Sequence, residues 1–324
     1  MTNNTSSEDI QSLFQSNDRI LIVSHIRPDG DAIGSALGLG MALRKKGKQV
    51  TVALADGLPS NFRHLPGSKT VVNAINPDQQ FDLVISVDAS DLERLGNVVN
   101  GRAIDLQIDH HVTNLFFADH NFVEETAVAT CAILAENFPN WGLEFDPDIA
   151  TLLLTGILTD TIGFRTSNVT SKALRIAADL MDAGADLPGI YYQNLISRSY
   201  EQVNYWGFAL QRMQKRENVA WTSLILADRE QSDYNGNDDA DLNTLLSSIT
   251  DCDITILFVE QKDNHIKVSW RSKPGFDVSE IAFHFNGGGH LAASGADIPG
   301  SLESVMEMVL QQTFAYLQTK KRLQ

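Results

Sequence analysis

The chain has 324 residues, enough for two medium-sized domains with a core each, and its 43% hydrophobic and 20% charged residues are ordinary for a globular protein. No apolar run reaches the roughly 18 residues that a membrane-spanning helix needs, and the polar opening segment Met1–Asp9 has neither the basic nor the apolar region of a secretory signal, so a cytoplasmic location is expected. The net charge of −16 argues against a long polyanion as ligand, which needs many phosphate contacts, but leaves a small nucleotide open. Arg19–Ser24 is a short apolar run rich in β-branched residues and reads as a buried strand. Asp31–Lys46 follows with helical spacing and stops at Gly47, a C-cap. Val50–Leu54, Leu83–Val87 and Ile104–Ile108 read as further strands. Thr126–Asn137 and Asp146–Thr161 read as largely buried helices, and Ser171–Ala183 as an amphipathic one ending at Gly184. Such alternation predicts βαβ units and a mostly parallel sheet. From Asp186–Gly189 the pattern changes. Tyr191–Lys215 predicts one long aromatic-rich helical stretch that can bridge two domains. After it, strand-like runs at Ala220–Ala227, Ile254–Glu260 and Ile266–Arg271 and helices at Asp239–Ile249, Val278–Phe285 and Leu302–Lys320 predict a smaller α/β domain. Asp233–Asp241 reads as a solvated loop. The expected organisation is a domain over residues 1–186, a helical linker over 187–215 and a second domain over 216–324. Cys131 and Cys252, far apart and without metal-ligand spacing, are expected to be buried free thiols.

Four segments carry chemistry. His25-Ile-Arg-Pro-Asp29-Gly-Asp31 directly follows the first strand, and in an open α/β sheet the loops at the carboxyl ends of the strands form the ligand crevice. One imidazole and two carboxylates suit Mn²⁺ or a similar borderline ion better than Mg²⁺, while Asp29 or Asp31 can equally cap the following helix. Asp88 ends the strand LVISV, and a carboxylate there is costly unless paired or metal-bound. Asp109-His110-His111 ends another strand and offers a metal ligand, an orienting group and a proton donor. Asp160 stands inside the otherwise apolar helix LLLTGILTDTIGF. Each has an ordinary reading by itself, as a cap, a loop Asp or a polar turn. Together, three strand ends and one helix can deliver His25, Asp29, Asp31, Asp88, His110 and Asp160 to one sheet edge. That is close to the roughly six to eight ligands of a two-metal site.

The order and spacing of these four segments resemble the motifs of the DHH phosphoesterases over about residues 15–185. Gly287-Gly288-Gly289-His290-x-Ala292-Ala293-x-Gly295, preceded by Ser269-Trp270-Arg271-Ser272, resembles the DHH-associated domain. Within the family the short two-domain layout looks most like the NrnA-type oligoribonucleases. These degrade very short RNA from its end, and many also dephosphorylate 3′-phosphoadenosine 5′-phosphate (pAp). The resemblance implies an active site in a cleft between a parallel-sheet DHH domain with flanking helices and a smaller α/β domain. It implies two metal ions, usually Mn²⁺, with Mg²⁺ or Co²⁺ as substitutes. One would be held by His25, Asp29 and Asp88, the other by Asp31, Asp88, His110 and Asp160. Asp109 would stand behind the ligands, and His111 would contact the scissile phosphate or help the leaving oxygen. The implied partners are short single-stranded RNA or DNA oligonucleotides and small nucleotides such as pAp. No membrane partner is implied, and a homodimer would be in keeping with the family. One departure stands beside Asp160: many NrnA-type sequences carry Gly where this chain has Ile162, which bears on whether Arg165 reaches a phosphate. No metal position departs from the pattern.

The glycine run has a physical use: as a loop it lets the backbone approach a ligand with free N–H donors. His290 adds a side-chain donor, and Arg271 can grip a phosphate with two parallel hydrogen bonds. Trp270, next to Arg271 on a strand, points to the opposite face. Competing readings are a RecJ-like single-strand exonuclease, usually a longer chain, and a cyclic- or linear-dinucleotide phosphodiesterase. A family II inorganic pyrophosphatase shares the core but lacks the glycine run. A non-catalytic nucleotide sensor would predict gaps in the metal set.

Overall fold

The apolar runs of the first half become one parallel sheet in the computed structural model, which describes residues 4–236 and 239–323. Met1–Asn3 of the polar opening segment and residues 237–238 of the expected solvated loop lie outside the described residues. The chain divides into two units, the first ending at Ser197 and the second beginning at Arg198.

In the first unit, β1 (Arg19–Val23), β2 (Gln49–Ala53), β3 (Val71–Val72), β4 (Leu83–Val87), β5 (Leu106–Asp109) and β6 (His120–Val123) lie in the order β3-β2-β1-β4-β5-β6, all parallel. From β1 the chain builds outward to β3, then returns to place β4 on the other side of β1. The order therefore reverses between β1 and β4, and the crevice outside their carboxyl ends is where such sheets bind ligands. The helices α1 (Ser7–Ser16), α2 (Gly30–Lys45), α3 (Thr130–Asn137), α4 (Pro147–Asp160), α5 (Ser171–Asp182) and α6 (Leu187–Tyr191) pack into the core on one face. The other face is covered by the 3-10 segment Glu93–Val99 and neighbouring loops.

Two helices approach closely because glycines stand between them. Gly30, Gly34 and Gly38 recur every four residues along one side of α2, facing α4. A Cβ at Gly34 would lie 2.4 Å from the carbonyl oxygen of Leu152, and one at Gly156 would lie 2.7 Å from Oδ1 of Asp31. This approach brings the end of α4, and with it Asp160, to Asp31. Asp160 is the last residue of α4, a helix buried over most of its length, and its own side chain is partly exposed.

The stretch expected as one helix from Tyr191 to Lys215 is broken. After α6 comes a π-helical turn, Tyr192–Ile196, then extended backbone at Ser197. The second unit opens with α7 (Tyr200–Gln211), started by a capping box between Ser199 and Gln202. Next come β7 (Gln214–Arg216), β8 (Val219–Leu224), α8 (Leu226–Gln231), α9 (Leu242–Leu246), β9 (Ile254–Gln261) and β10 (His265–Ser272). The chain ends with α10 (Val278–Phe283), β11 (Gly288–His290), β12 (Ala293–Pro299) and α11 (Leu302–Leu323). The sheet order is β11-β12-β10-β9-β8-β7, antiparallel except for β8 beside β9. α10 and α11 cover one face, and α7 and α9 contribute to the core on the other. Trp270 is fully buried on the α11 side, facing away from Arg271 as expected. Cys131 and Cys252 are buried and free. Among the described residues no helix is long and apolar enough to cross a membrane.

Candidate metal centre

β1 and β4 end at the point where the sheet order reverses, and they deliver the first two groups there. Asp88 follows β4 in the left-handed region, φ 56°, which Asp tolerates better than most residues. Its N–H still donates to Ile108 at 3.0 Å, so the turn begins without a break in the sheet. His25 follows β1. Its Nδ1–H donates to the carbonyl of Ile26 at 2.8 Å, which turns Nε2 toward two carboxylates, 3.5 Å from Asp88 Oδ2 and 3.8 Å from Asp29 Oδ1. Asp29 also caps α2, its Oδ1 accepting from the N–H groups of Asp31 and Ala32 at 3.0 and 3.1 Å. The capping reading therefore holds for Asp29 and does not remove it from the cluster.

His110 repeats the arrangement. Its Nδ1 faces the carbonyl of Ala127 at 3.4 Å, and its Nε2 lies 3.5 Å from Asp88 Oδ1, 3.7 Å from Asp160 Oδ2 and 3.9 Å from Asp31 Oδ2. Three sets of side chains offer ligand atoms within 4.8 Å of one another: His25, Asp29 and Asp88; Asp31, His110 and Asp160; and Asp88, His110 and His111. Asp88 belongs to two of them and presents one oxygen to each of His25 and His110.

His111 is oriented differently. Its Nδ1–H donates to Oδ1 of Asp109 at 2.7 Å, and that bond raises the imidazole above its ordinary range. Burial would push the Asp109 carboxyl up, but hydrogen bonds from His111 and from Asn114, the latter 2.5 Å, hold it down. Asp109 thus fixes the ring of His111 and favours its protonated form.

The donor set fits divalent cations. Mixed imidazole and carboxylate ligands suit Mn²⁺ and its neighbours, and both His25 and His110 have Nδ1 turned to a backbone carbonyl, the usual support for an Nε2 ligand. The charges point the same way. Burial, together with Asp88 and Asp160, pushes the Asp31 carboxyl well above its usual range. Burial likewise raises Asp160 to about 6, with His110 opposing and Asp88 adding. Burial would lower His25, but hydrogen bonds to Asp29 and Asp88 outweigh it and raise the ring to about 10. Without cations the cluster holds protons in their place, as expected of ligands that must be deprotonated to bind metal.

In the second unit, Arg271, Ala293 and His290 form one cross-strand row, because Arg271 pairs with Ala293 and Ala293 with His290. Residues paired in this way point to the same face, and the small Ala293 leaves the space between the two donors open. The expected glycine loop is corrected: Gly288–His290 is strand β11, at the sheet edge. Gly287 and Gly289 are there for packing, since a Cβ on them would lie 2.3 Å from the Gly295 carbonyl oxygen and 2.5 Å from that of Ala293. Gly288 faces open space. Arg165 is exposed and makes no side-chain hydrogen bond or ion pair among the described residues. Ile162, Gly163 and Phe164 form a left-handed run, with φ 49°, 68° and 64°. A β-branched residue in that region costs roughly 1–2 kcal/mol. Ile162 therefore keeps a left-handed turn, under strain.

Comparison with known proteins follows the same lines. Residues 19–157 match the DHH family, N-terminal domain, and residues 218–318 match the DHHA1 domain. The chain belongs to the DHH family. It is an enzyme of this metal-dependent phosphoesterase class. It is 32% identical over 294 residues to the bifunctional oligoribonuclease and PAP phosphatase NrnA of Thermus thermophilus, covering 90% of this chain and 88% of that protein. It is 30% identical over 287 residues to the protein of the same name from Bacillus subtilis, covering 87% and 90%. An exopolyphosphatase-related protein from Bacteroides fragilis has a solved structure similar to this one, with a TM-score of 0.89, 27% identity and 97% of each chain covered.

This DHH centre also rests on residues that the sequence reading missed. The backbone N–H groups of Thr130 and Cys131, at the start of α3, donate to the two oxygens of Asp31 at 2.6 and 2.9 Å. A helix N-terminus favours the ionised carboxylate there. The Thr130 hydroxyl donates to Asp88 Oδ1 at 3.0 Å. Nothing local in the sequence marks Thr130, which is 42 residues from Asp88. The glycine spacing of α2 was visible and would have pointed to the close approach of a partner helix.

Proposed function

We propose that this DHH enzyme hydrolyses phosphate esters of very short oligonucleotides, RNA dinucleotides foremost, and of 3′-phosphoadenosine 5′-phosphate, with two Mn²⁺ ions as its cofactors. The observation that carries the reading is Asp88, which presents one oxygen to the His25 group and the other to the His110 group. The names of the two relatives support the substrate class. His25, Asp29 and Asp88 hold one cation, and Asp31, Asp88, His110 and Asp160 the other. Cations bound there supply Lewis-acid polarisation of a phosphoryl oxygen and a lowered pKa for water.

The chain's own groups do the rest. Thr130 and Cys131 fix the direction of Asp31, and Thr130 that of Asp88. His111, held by Asp109, carries a proton at the edge of the cluster and delivers it to the departing ester oxygen. In the second unit Arg271, His290 and the open backbone at Gly288 bind phosphate and sugar groups of the nucleotide. A grip on one terminal group favours short substrates, and the acidic surface disfavours long ones.

The test is a panel of an RNA dinucleotide, pAp, a long single-stranded DNA and cyclic di-AMP, each hydrolysed with Mn²⁺. The dinucleotide and pAp are expected to be cut fastest. Preference for the long DNA would overturn the proposal in favour of an exonuclease, and preference for the cyclic substrate in favour of a signalling phosphodiesterase. Nucleotide binding without turnover would indicate a sensor.

A further inference from the structure

Beyond the carboxyl ends of β1, β2 and β3 the first unit has a cavity of about 360 Å³. Its walls are apolar. Ile26 comes from the loop after β1, Ala55 from the loop after β2, Ile75 from the loop after β3, and Val98 from the 3-10 segment Glu93–Val99. Gly96 lets that segment close against the first two loops. Its backbone is left-handed, φ 63°, and a Cβ there would lie 2.8 Å from Cγ2 of Ile26 and 3.0 Å from Cβ of Ala55. The N–H of Ile26 donates to the carbonyl of Arg94 at 2.6 Å, which ties the same segment to the loop after β1. Backbone packing thus fixes the shape of the cavity.

Polar groups stand around these walls. Asn73, Asn97 and Asn100 line the cavity, and their carboxamides make no hydrogen bond among the described residues. Each offers two N–H donors and an acceptor, the groups that pair with the edge of a nucleobase. Asp56 is held at the rim, its Oδ2 accepting from the N–H of Arg27 at 2.7 Å. The one charged group among these residues is therefore a carboxylate, which repels a phosphoryl group and tolerates a neutral ring. The volume falls among those of small-molecule sites, roughly 300–1,000 Å³, which likewise combine apolar walls with a few placed polar groups. The cavity also begins beside the metal centre: Ile26 follows His25, and its carbonyl accepts from His25 Nδ1 at 2.8 Å. A base attached to the cleaved phosphate through one sugar falls within that reach.

We propose that this cavity takes the base of the nucleoside that a dinucleotide has and pAp lacks, with Asn73, Asn97 and Asn100 bonding its edge and the apolar walls packing on the ring. The cleaved phosphate of a dinucleotide joins two nucleosides, whereas each phosphate of pAp is an ester of the same one. The inference rests on the reading that the enzyme cuts both substrates, and deepens it by giving them different needs: the cavity serves the dinucleotide and stays empty with pAp.

The experiment compares the whole wild-type chain with Ala74→Trp, which puts a large ring at an exposed position lining the cavity, and with the double variant Asn73→Ala, Asn97→Ala. Hydrolysis of an RNA dinucleotide and of pAp with Mn²⁺ is read as KM and kcat. Ala74→Trp is expected to raise KM for the dinucleotide about tenfold or more and to leave kcat/KM for pAp within about twofold. The asparagine pair should raise KM for the dinucleotide about tenfold, the loss of two hydrogen bonds between neutral groups, and should spare pAp as well. Dinucleotides lacking one base or the other read the site from the substrate side. Removing one of the two bases should weaken wild type about tenfold and cost Ala74→Trp little more. An unchanged KM for the dinucleotide, or equal losses on the dinucleotide and pAp, would overturn the site. So would base removal that weakens Ala74→Trp as much as wild type. Should Ala74→Trp not fold, the asparagine pair and the base-deleted dinucleotides read the same site with the same contrary results. Calorimetry of dinucleotide binding separates the site from the functional reading. Weaker binding by Ala74→Trp in a chain that hydrolyses neither substrate would sink the functional reading and leave the cavity standing. Hydrolysis of both substrates with KM indifferent to Ala74→Trp would do the reverse.

Discussion

Asp88→Asn lowers kcat/KM by about a thousandfold or more while leaving the chain folded. Changing a residue that merely supports a metal ligand typically costs roughly 10–100-fold, and Asp88 is proposed as a ligand to both cations, with one oxygen directed at each group. Asn is the informative replacement. It tolerates the left-handed backbone at φ 56° as Asp does, so the turn after β4 survives. It also keeps an oxygen to accept from the Thr130 hydroxyl. What is lost is the negative charge and one of the two ligand oxygens. Steady-state hydrolysis of pAp and of an RNA dinucleotide, with circular dichroism as the control for folding, reads the effect. A variant that stays folded and loses less than tenfold would remove Asp88 from the centre of the mechanism.

Mn²⁺ loading raises the unfolding temperature, and chelation reverses the rise. A ligand at a hundred times its dissociation constant adds about 2.7 kcal/mol, which for a unit of this size corresponds to roughly 5–10 °C. The physical source is the crowding of Asp31, Asp88 and Asp160 around His110, where cations replace protons. The sign with pH follows. Asp160 is raised to about 6 and His25 to about 10 in the metal-free cluster, so protons compete harder with the metal as pH falls. The stabilisation is therefore larger at pH 8 than at pH 6. Differential scanning fluorimetry with Mn²⁺ and with a chelator at the two pH values checks this. A shift of less than about 2 °C at saturating metal, or a larger one at pH 6, would contradict it.

Much of the first unit was legible because its strands are buried on both faces. β1 after Arg19 is an aliphatic run and β4 is one broken only by Ser86, and the residues beyond them, His25 and Asp88, stand where the sheet order reverses. The strands at one side of the second sheet were less visible. β12, which lies between β11 and β10, contains Ser, Gly, Asp and Pro, and its pairing with the short edge strand Gly288–His290 turned an expected loop into a strand. The break between Tyr191 and Lys215 was written in the Ser199–Gln202 capping box, but the aromatic and apolar residues on either side of it read as one helix. Within the site, the carboxylates and imidazoles were apparent from residue type and position at strand ends. Thr130 was not, because what marks it is a long-range contact. The role expected for Asp109 came from family resemblance, and its geometry became visible only in the bonds to His111 and Asn114.

The most direct test of the two-metal centre is anomalous diffraction from crystals soaked in Mn²⁺. Two peaks per chain are expected, about 3.5–4 Å apart, one among His25, Asp29 and Asp88 and the other among Asp31, His110 and Asp160, with Asp88 touching both. A single ion, or ions bound away from Asp88, would contradict the account.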